Sequence, residues 1–224
     1  MAKDYPINPL MVNSRARRTI KLGKWFPPND PFAAAVARLC ILREDFYLEL
    51  EAIRPDKIDQ LDGNSVEWRK IYFFRNAIRT LMEIRGSMEF LQRQKEFRIA
   101  LSKQPESAKD SFKRFFKEIT AAHEIIKKLR NAIGGHVDNK AVEEALHKMH
   151  SDRKGLIEFG EKGRDVHFKF SSELIMAILL AGVPDKDQET KLDMMIGMMV
   201  DLRSSLQAID IVFSTYALER GLRL

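Results

Sequence analysis

A single cysteine, Cys40, among 224 residues excludes an intrachain disulfide and any zinc site built on clustered thiolates. Long apolar runs are missing too. The longest, Leu174 to Val183, falls well short of the roughly 18–20 residues that cross a bilayer. The first residues, Met1-Ala2-Lys3-Asp4-Tyr5-Pro6, hold no apolar block of the kind a secretory signal needs. These absences lead to the expectation of a cytoplasmic protein that makes no membrane contact. Catalytic signatures are equally scarce: no phosphate-cradling glycine loop, H-E-x-x-H helix or G-x-S-x-G elbow occurs, which removes the common nucleotide-triphosphatase, metalloprotease and serine-hydrolase readings. His147 and His150 stand three apart on an expected helix, but no third ligand accompanies them, so no metal and no other cofactor is expected.

What is present describes a folded, mostly helical chain. Hydrophobic residues make up 45% and charged residues 31%, a globular balance whose length suits one sizeable core. Phe32, Val36, Leu39, Cys40, Phe46 and Leu50 recur at helical spacing and predict a helix from about Pro31 to Ile53. Trp68, Ile71, Phe74, Ile78, Leu81, Ile84, Met88 and Leu91 mark a second, running from Asn64 or Ser65 to about Leu101, long enough to be a bundle's spine. A third starts near Ser107 and carries the stripe Phe112, Phe116, Ile119, His123, Ile126, Arg130 and Ile133. Later, Leu156-Ile157-Glu158-Phe159 and Val166-His167-Phe168-Lys169-Phe170 flank Gly160-Glu161-Lys162-Gly163. The alternation across that turn predicts a β-hairpin at about 155–170. A short apolar helix capped by Ser171 or Ser172 follows, then a last helix from about Asp187 to Leu218. The expected fold is all-α, a long-helix up-and-down bundle with that small β-hairpin insertion.

The net charge of +6 is unevenly spread. Residues 1–31 carry Lys3, Arg15, Arg17, Arg18, Lys21 and Lys24 against only Asp4 and Asp30. Pro6, Pro9, Pro27, Pro28 and Pro31 disfavour helix there. The segment reads as an extended basic arm suited to phosphates, or else as a strap packed through Trp25 and Phe26.

One stretch concentrates chemistry: Leu129-Arg130-Asn131-Ala132-Ile133-Gly134-Gly135-His136. On a continuous helix Arg130 and His136 would lie about 240° apart. Gly134 and Gly135 can take the left-handed conformation that ends helices, letting His136 fold back towards the last turn. Asp138 then reads as the N-cap of a following helix through Ala141 to Leu146. Arg130, on the edge of an apolar stripe, requires either a structural ion pair or a polar cleft, because an unpaired buried charge is costly. The tetrapeptide itself is uninformative, since Arg75-Asn76-Ala77-Ile78 repeats it with no glycine corner and no histidine.

Arg130-Asn131 followed by His136 resembles the arginine, polar residue, spacer, histidine signature of the HEPN superfamily (the higher eukaryote and prokaryote nucleotide-binding domain), with Gly134-Gly135 as a departure in the spacer. The resemblance implies a single HEPN-like helical domain over 32–224, following the arm of 1–31. It also implies a homodimer that brings two motifs into one cleft. Active members are metal-independent endoribonucleases, many in toxin and phage-defence systems; others bind nucleotides or partner proteins without cleaving. In this chain the implied catalytic residues are Arg130, Asn131 and His136. An imidazole titrating near pH 6.5 suits proton transfer. An arginine fork suits a scissile phosphate, and a carboxamide suits orientation of either. RNA supplies its own nucleophile, the 2′-hydroxyl, leaving a 2′,3′-cyclic phosphate. Arg15, Arg17, Arg18 and His123 are the expected substrate-binding residues. The expected partners are RNA, a second copy, and an antitoxin or nucleotidyltransferase.

Overall fold

The computed structural model describes residues 19–53, 63–134, 138–148 and 204–222 throughout, with shorter stretches between 154 and 202. Its described elements are mostly helical: α1 Leu22–Trp25, α2 Pro31–Ile53, α3 Gly63–Arg93, α4 Lys95–Ser102, α5 Glu106–Ile133, α6 Asn139–Lys148, α7 Phe170–Leu179 and α8 Ser204–Glu219. Strands β1 Ile157–Phe159 and β2 Val166–Phe168 pair antiparallel, with Ile157 opposite Phe168 and Phe159 opposite Val166. Residues 160–165 between them, the site of the expected turn, lie outside the described residues.

α3 is the spine, and its apolar spacing explains why. Ile71, Phe74, Ala77, Ile78, Leu81, Ile84, Met88 and Leu91 recur every three or four residues and are all buried, so one stripe of the helix is dry along most of its length. α2 packs along it, burying Phe32, Val36, Leu39, Phe46 and Leu50. α8 closes over α2, α4 and α5. The long helix expected to run on to Leu101 instead breaks at Gln94, whose backbone is extended. Neither proline nor glycine causes the break. It turns α4 so that Phe97 meets Phe32 and Phe112 at ring separations of 6.1 and 5.4 Å, and this aromatic packing outweighs the helical continuity lost.

The residues preceding α2 are a strap. Trp25 stacks on Phe213 at 5.6 Å and Phe26 on Tyr216 at 5.8 Å, while the Tyr216 hydroxyl donates to the Trp25 carbonyl. Packing on α8 holds Leu22–Trp25 in a helical turn where the prolines of the arm had suggested irregular chain. Asp30 then starts α2 by accepting from the Ala33 amide at 2.9 Å, and its other oxygen takes Arg220 from the end of α8. A fork from Arg43 to Asp210, at 2.6 and 3.2 Å, ties α2 to α8 further along. Within the span of the last expected helix, residues 190–191, 194–195 and 197–198 are helical, a turn stands at Leu202, and α8 runs from Ser204.

Between α2 and α3 a carboxyl is buried with incomplete partners. Glu49 accepts from the Thr80 hydroxyl at 3.0 Å, and its second oxygen has no hydrogen-bond partner. Burial pushes its pKa up to about 7; the Thr80 hydrogen bond pulls down, Asp45 pushes up and Arg79 pulls down. A raised folded-state value means that the native protein holds the proton more tightly than the unfolded chain does. The contribution is therefore full below about pH 4.5, declines as pH rises, and is gone above about pH 7. Glu49→Gln retains an acceptor for Thr80 and never ionises. Its stability should match the wild type near pH 5 and exceed it at pH 8 by on the order of 2 kcal/mol, read from urea unfolding at the two pH values. A constant difference across that range would show that Glu49 does not titrate with folding.

Candidate functional site

α5 brings the motif to its C-terminal end. Phe112, Ile119, Ile126 and Ile133 are buried at strict seven-residue spacing, and the intervening buried row is Phe115 and Leu129, with Ala122 packed against the core between them. The helix thus shows its neighbours a 3.5-residue repeat formed by i and i+3 positions. The expected stripe placed Phe116, His123 and Arg130, the i+4 row, on this face. The structure sets that row beside it: Phe116 and His123 are half-buried, and the Arg130 side chain is 44% exposed. Asn131 is exposed as well.

Arg130 has a carboxylate neighbour, which answers how its charge is held. Its Nη2 lies 4.0 Å from Glu83 Oε1 on α3, and Glu83 Oε2 takes Arg38 of α2. The three side chains form a row, Arg38–Glu83–Arg130, across three helices. Because helical side chains lean towards the helix N-terminus, Arg130 reaches back along α5 to Glu83, away from the corner that begins at Gly134. His123 lies two turns further back, with Nδ1 3.2 Å from Glu124 Oε1. Arg15, Arg17, Arg18, Gly135 and His136 lie outside the described residues.

A different arginine meets the corner. Arg75, from the first Arg-Asn-Ala-Ile copy, donates its Nε–H to the carbonyl of Ile133 at 2.7 Å. It caps the last turn of the helix that bears the second copy. The side chain is half-buried, and burial lowers its pKa from the usual arginine value. In the sequence Arg75 stands only within a repeat that lacks the glycine corner and the histidine. Its only signal was a cation among apolar residues of the α3 stripe, one position from the buried Phe74.

Gly134 is required at the corner for a reason other than left-handed geometry. Gly134 is extended, with φ −82° and ψ 107°, a conformation open to any residue. What demands glycine is space: a Cβ there would sit 2.8 Å from the Arg130 Cα. On the far side the Asp138 amide reaches the Ala132 carbonyl at 3.4 Å, and the Asp138 carboxylate accepts from the Lys140 amide at 3.0 Å to cap α6. The two flanks of the corner therefore meet.

Beside the motif α5 is strongly basic. From residue 113 to 131 it carries six Lys or Arg side chains against two Glu, and Lys113, Arg114, Lys117, Lys127 and Lys128 are exposed. Such a strip offers phosphate contacts along the helix. The sequence pointed to the N-terminal arm for this role because net charge per segment was the measure, and the α5 cations are diluted by apolar core positions. Among the described residues, no three His, Cys, Asp or Glu side chains gather as a metal site requires. Cys40 offers no ready nucleophile, since burial pushes its thiol up to about 11 and keeps it protonated at neutral pH.

The two arginines should part company on substitution. Arg75→Met leaves the Ile133 carbonyl without its charged donor. It should cost about 2 kcal/mol, lowering Tm by roughly 4–8 °C, with faster amide exchange at the end of α5. Arg130→Ala removes a long, exposed ion pair and should cost less than about 0.5 kcal/mol. Equal losses in thermal melts would refute this division between a cap and a weakly paired surface cation.

Searches against protein-family models, curated proteins and solved structures gave no match to this chain.

Proposed function

We propose that this chain is a metal-independent endoribonuclease of the toxin or phage-defence type, built on a HEPN-like bundle in which the β1–β2 segment is a hairpin insertion. The observation that carries the reading is the exposure of Arg130 and Asn131 on the last turn of α5, one turn after the exposed Lys127 and one residue pair before the Gly134 corner. An exposed guanidinium held by a carboxylate at 4.0 Å can exchange that weak partner for a phosphate, which offers two oxygens to its fork of donors. RNA held by Lys127, one turn before Arg130 on the same side of α5, would place a phosphate within reach of Arg130.

In this proposal Arg130 binds the scissile phosphate and stabilises the charge that develops on its oxygens. His136 removes the 2′-hydroxyl proton or protonates the departing 5′-oxygen, and Asn131 orients the phosphate. A second copy supplies the other histidine, so that one acts as base and the other as acid. Attack by the 2′-oxygen forms a bond to phosphorus as the bond to the 5′-oxygen breaks, giving a 2′,3′-cyclic phosphate and a 5′-hydroxyl. No step calls on a metal.

One observation favours a second reading, a catalytically inactive nucleotide- or RNA-binding module on the same fold. Arg130 lies beside Glu83 of α3, a resting position in which the binding cation already has a carboxylate neighbour. Both readings predict RNA binding, and they separate on cleavage. Purified protein should cleave RNA in EDTA and leave cyclic-phosphate ends. Arg130→Ala and His136→Ala should each lower the rate at least ~100-fold while the thermal melt is kept. Binding without cleavage by the wild type would select the module, and undiminished cleavage by both variants would refute the assigned site.

A further inference from the structure

α2 carries apolar residues all round, which ordinarily marks a helix covered on every side, yet one face is open. Ala34, Ile41 and Leu48 follow one another at seven-residue spacing on that face. Ile41 and Leu48 are 65% and 61% exposed, and Ala34 is exposed too. The row lies between the two edges by which α2 is held, Arg38 against Glu83 of α3 and Arg43 against Asp210 of α8. Arg38, Glu44 and Asp45 border it, all exposed.

We propose that this face binds a second copy of the chain, with two α2 helices packed antiparallel about a two-fold axis at Ile41. The argument is self-complementarity. In an antiparallel pair centred there, Ile41 meets Ile41 and each Leu48 lies over the small Ala34 of the other helix, so large fills against small. Arg38 of each copy faces Asp45 of the other, while Glu44 faces the other copy's Ala37, and symmetry repeats both contacts. A parallel pair would instead exchange the flanks, setting Asp45 of each copy beside Glu44 of the other and leaving Arg38 beside Ala37, which like-charge repulsion disfavours. At 1.5 Å per residue the 23-residue helix is about 34 Å long, enough for three heptads of contact. Arg38 can make the contact without leaving Glu83, because 56% of its side chain remains exposed in the pair.

This two-fold has a further geometric result. Rotation about it reverses each helix end for end but keeps its flanks, so the α3 side of both copies opens on the same side of the interface. The two Arg38–Glu83–Arg130 rows then border one groove. The interface is argued from α2 alone and holds whether or not the chain cleaves RNA, and its test reads mass rather than activity.

Sedimentation of the full chain at tens of micromolar should give twice the 25.9 kDa of one copy. Ile41→Asp should weaken association at least ~100-fold, because it buries two unpaired carboxylates against each other, and should run as a monomer with an unchanged melt. Arg38→Asp alone and Asp45→Arg alone should each be monomeric. Mixed in equal amounts they should form a heterodimer, since each then offers the charge the other lacks. A wild-type monomer would overturn the proposal and leave the face to another partner. So would a folded Ile41→Asp dimer, or a mixture that fails to associate; if Ile41→Asp does not fold, the mixing experiment alone decides.

Discussion

The stripe from Ile71 to Leu91 commits α3 to burial, and that commitment dictates what its flanks can do. A buried leucine or isoleucine is worth about 1.5–3 kcal/mol, so the rotation of α3 about its own axis is fixed by many such residues together. Side chains just off the stripe are then delivered to neighbouring helices at set heights. Arg75 arrives at the Ile133 carbonyl, Thr80 at Glu49 and Glu83 at Arg38 and Arg130. None of these polar contacts is strong enough to orient a 31-residue helix. Each is a consequence of the dry face, and each would be displaced if that face slipped by one position.

α2 and α3 were legible in the sequence because each buries one stripe against few partners, and period alone then locates both the helix and its inner face. The break at Gln94 left no local mark: no proline, glycine or cap precedes it, and its cause is Phe97, which gains Phe32 and Phe112 only if the chain turns. α5 was legible in extent but not in rotation. The i+3 row Phe115, Ala122, Leu129 and the i+4 row Phe116, His123, Arg130 are both credible continuations of Phe112, Ile119, Ile126 and Ile133. Two of the three members of the second row are polar, and that was the available signal. The packed face belongs to the row with no polar member, as the cost of burying charge requires.

The candidate site was legible only where backbone chemistry writes itself into composition. Asp138 before α6 is such a case, since a short acceptor at a helix start satisfies orphan amides, and the structure has it bonded to the Lys140 amide. Gly134 was recognised as a corner for the wrong physical reason. Its φ is ordinary, and what excludes a side chain is the approach of the Arg130 backbone. Close approach is a property of two segments in space, whereas a turn signal belongs to one segment. The sequence reports the second kind of constraint far better than the first.

The two Arg-Asn-Ala-Ile copies show how little a tetrapeptide fixes. In both, the isoleucine is buried, so the arginine three residues earlier stands beside the apolar face at a similar angle. On α3 that position lies within the helix, with its own carbonyls satisfied, and the arginine is left to serve the end of a neighbour. On α5 it lies in the last turn, where the open carbonyls need a donor, but Arg130 leans the opposite way and cannot supply it. Arg75 does so instead, and in taking the structural task it leaves Arg130 exposed with one distant carboxylate. A helix end that had to cap itself with its own arginine would have none to offer a phosphate. The first copy is thus the physical condition for any binding role of the second.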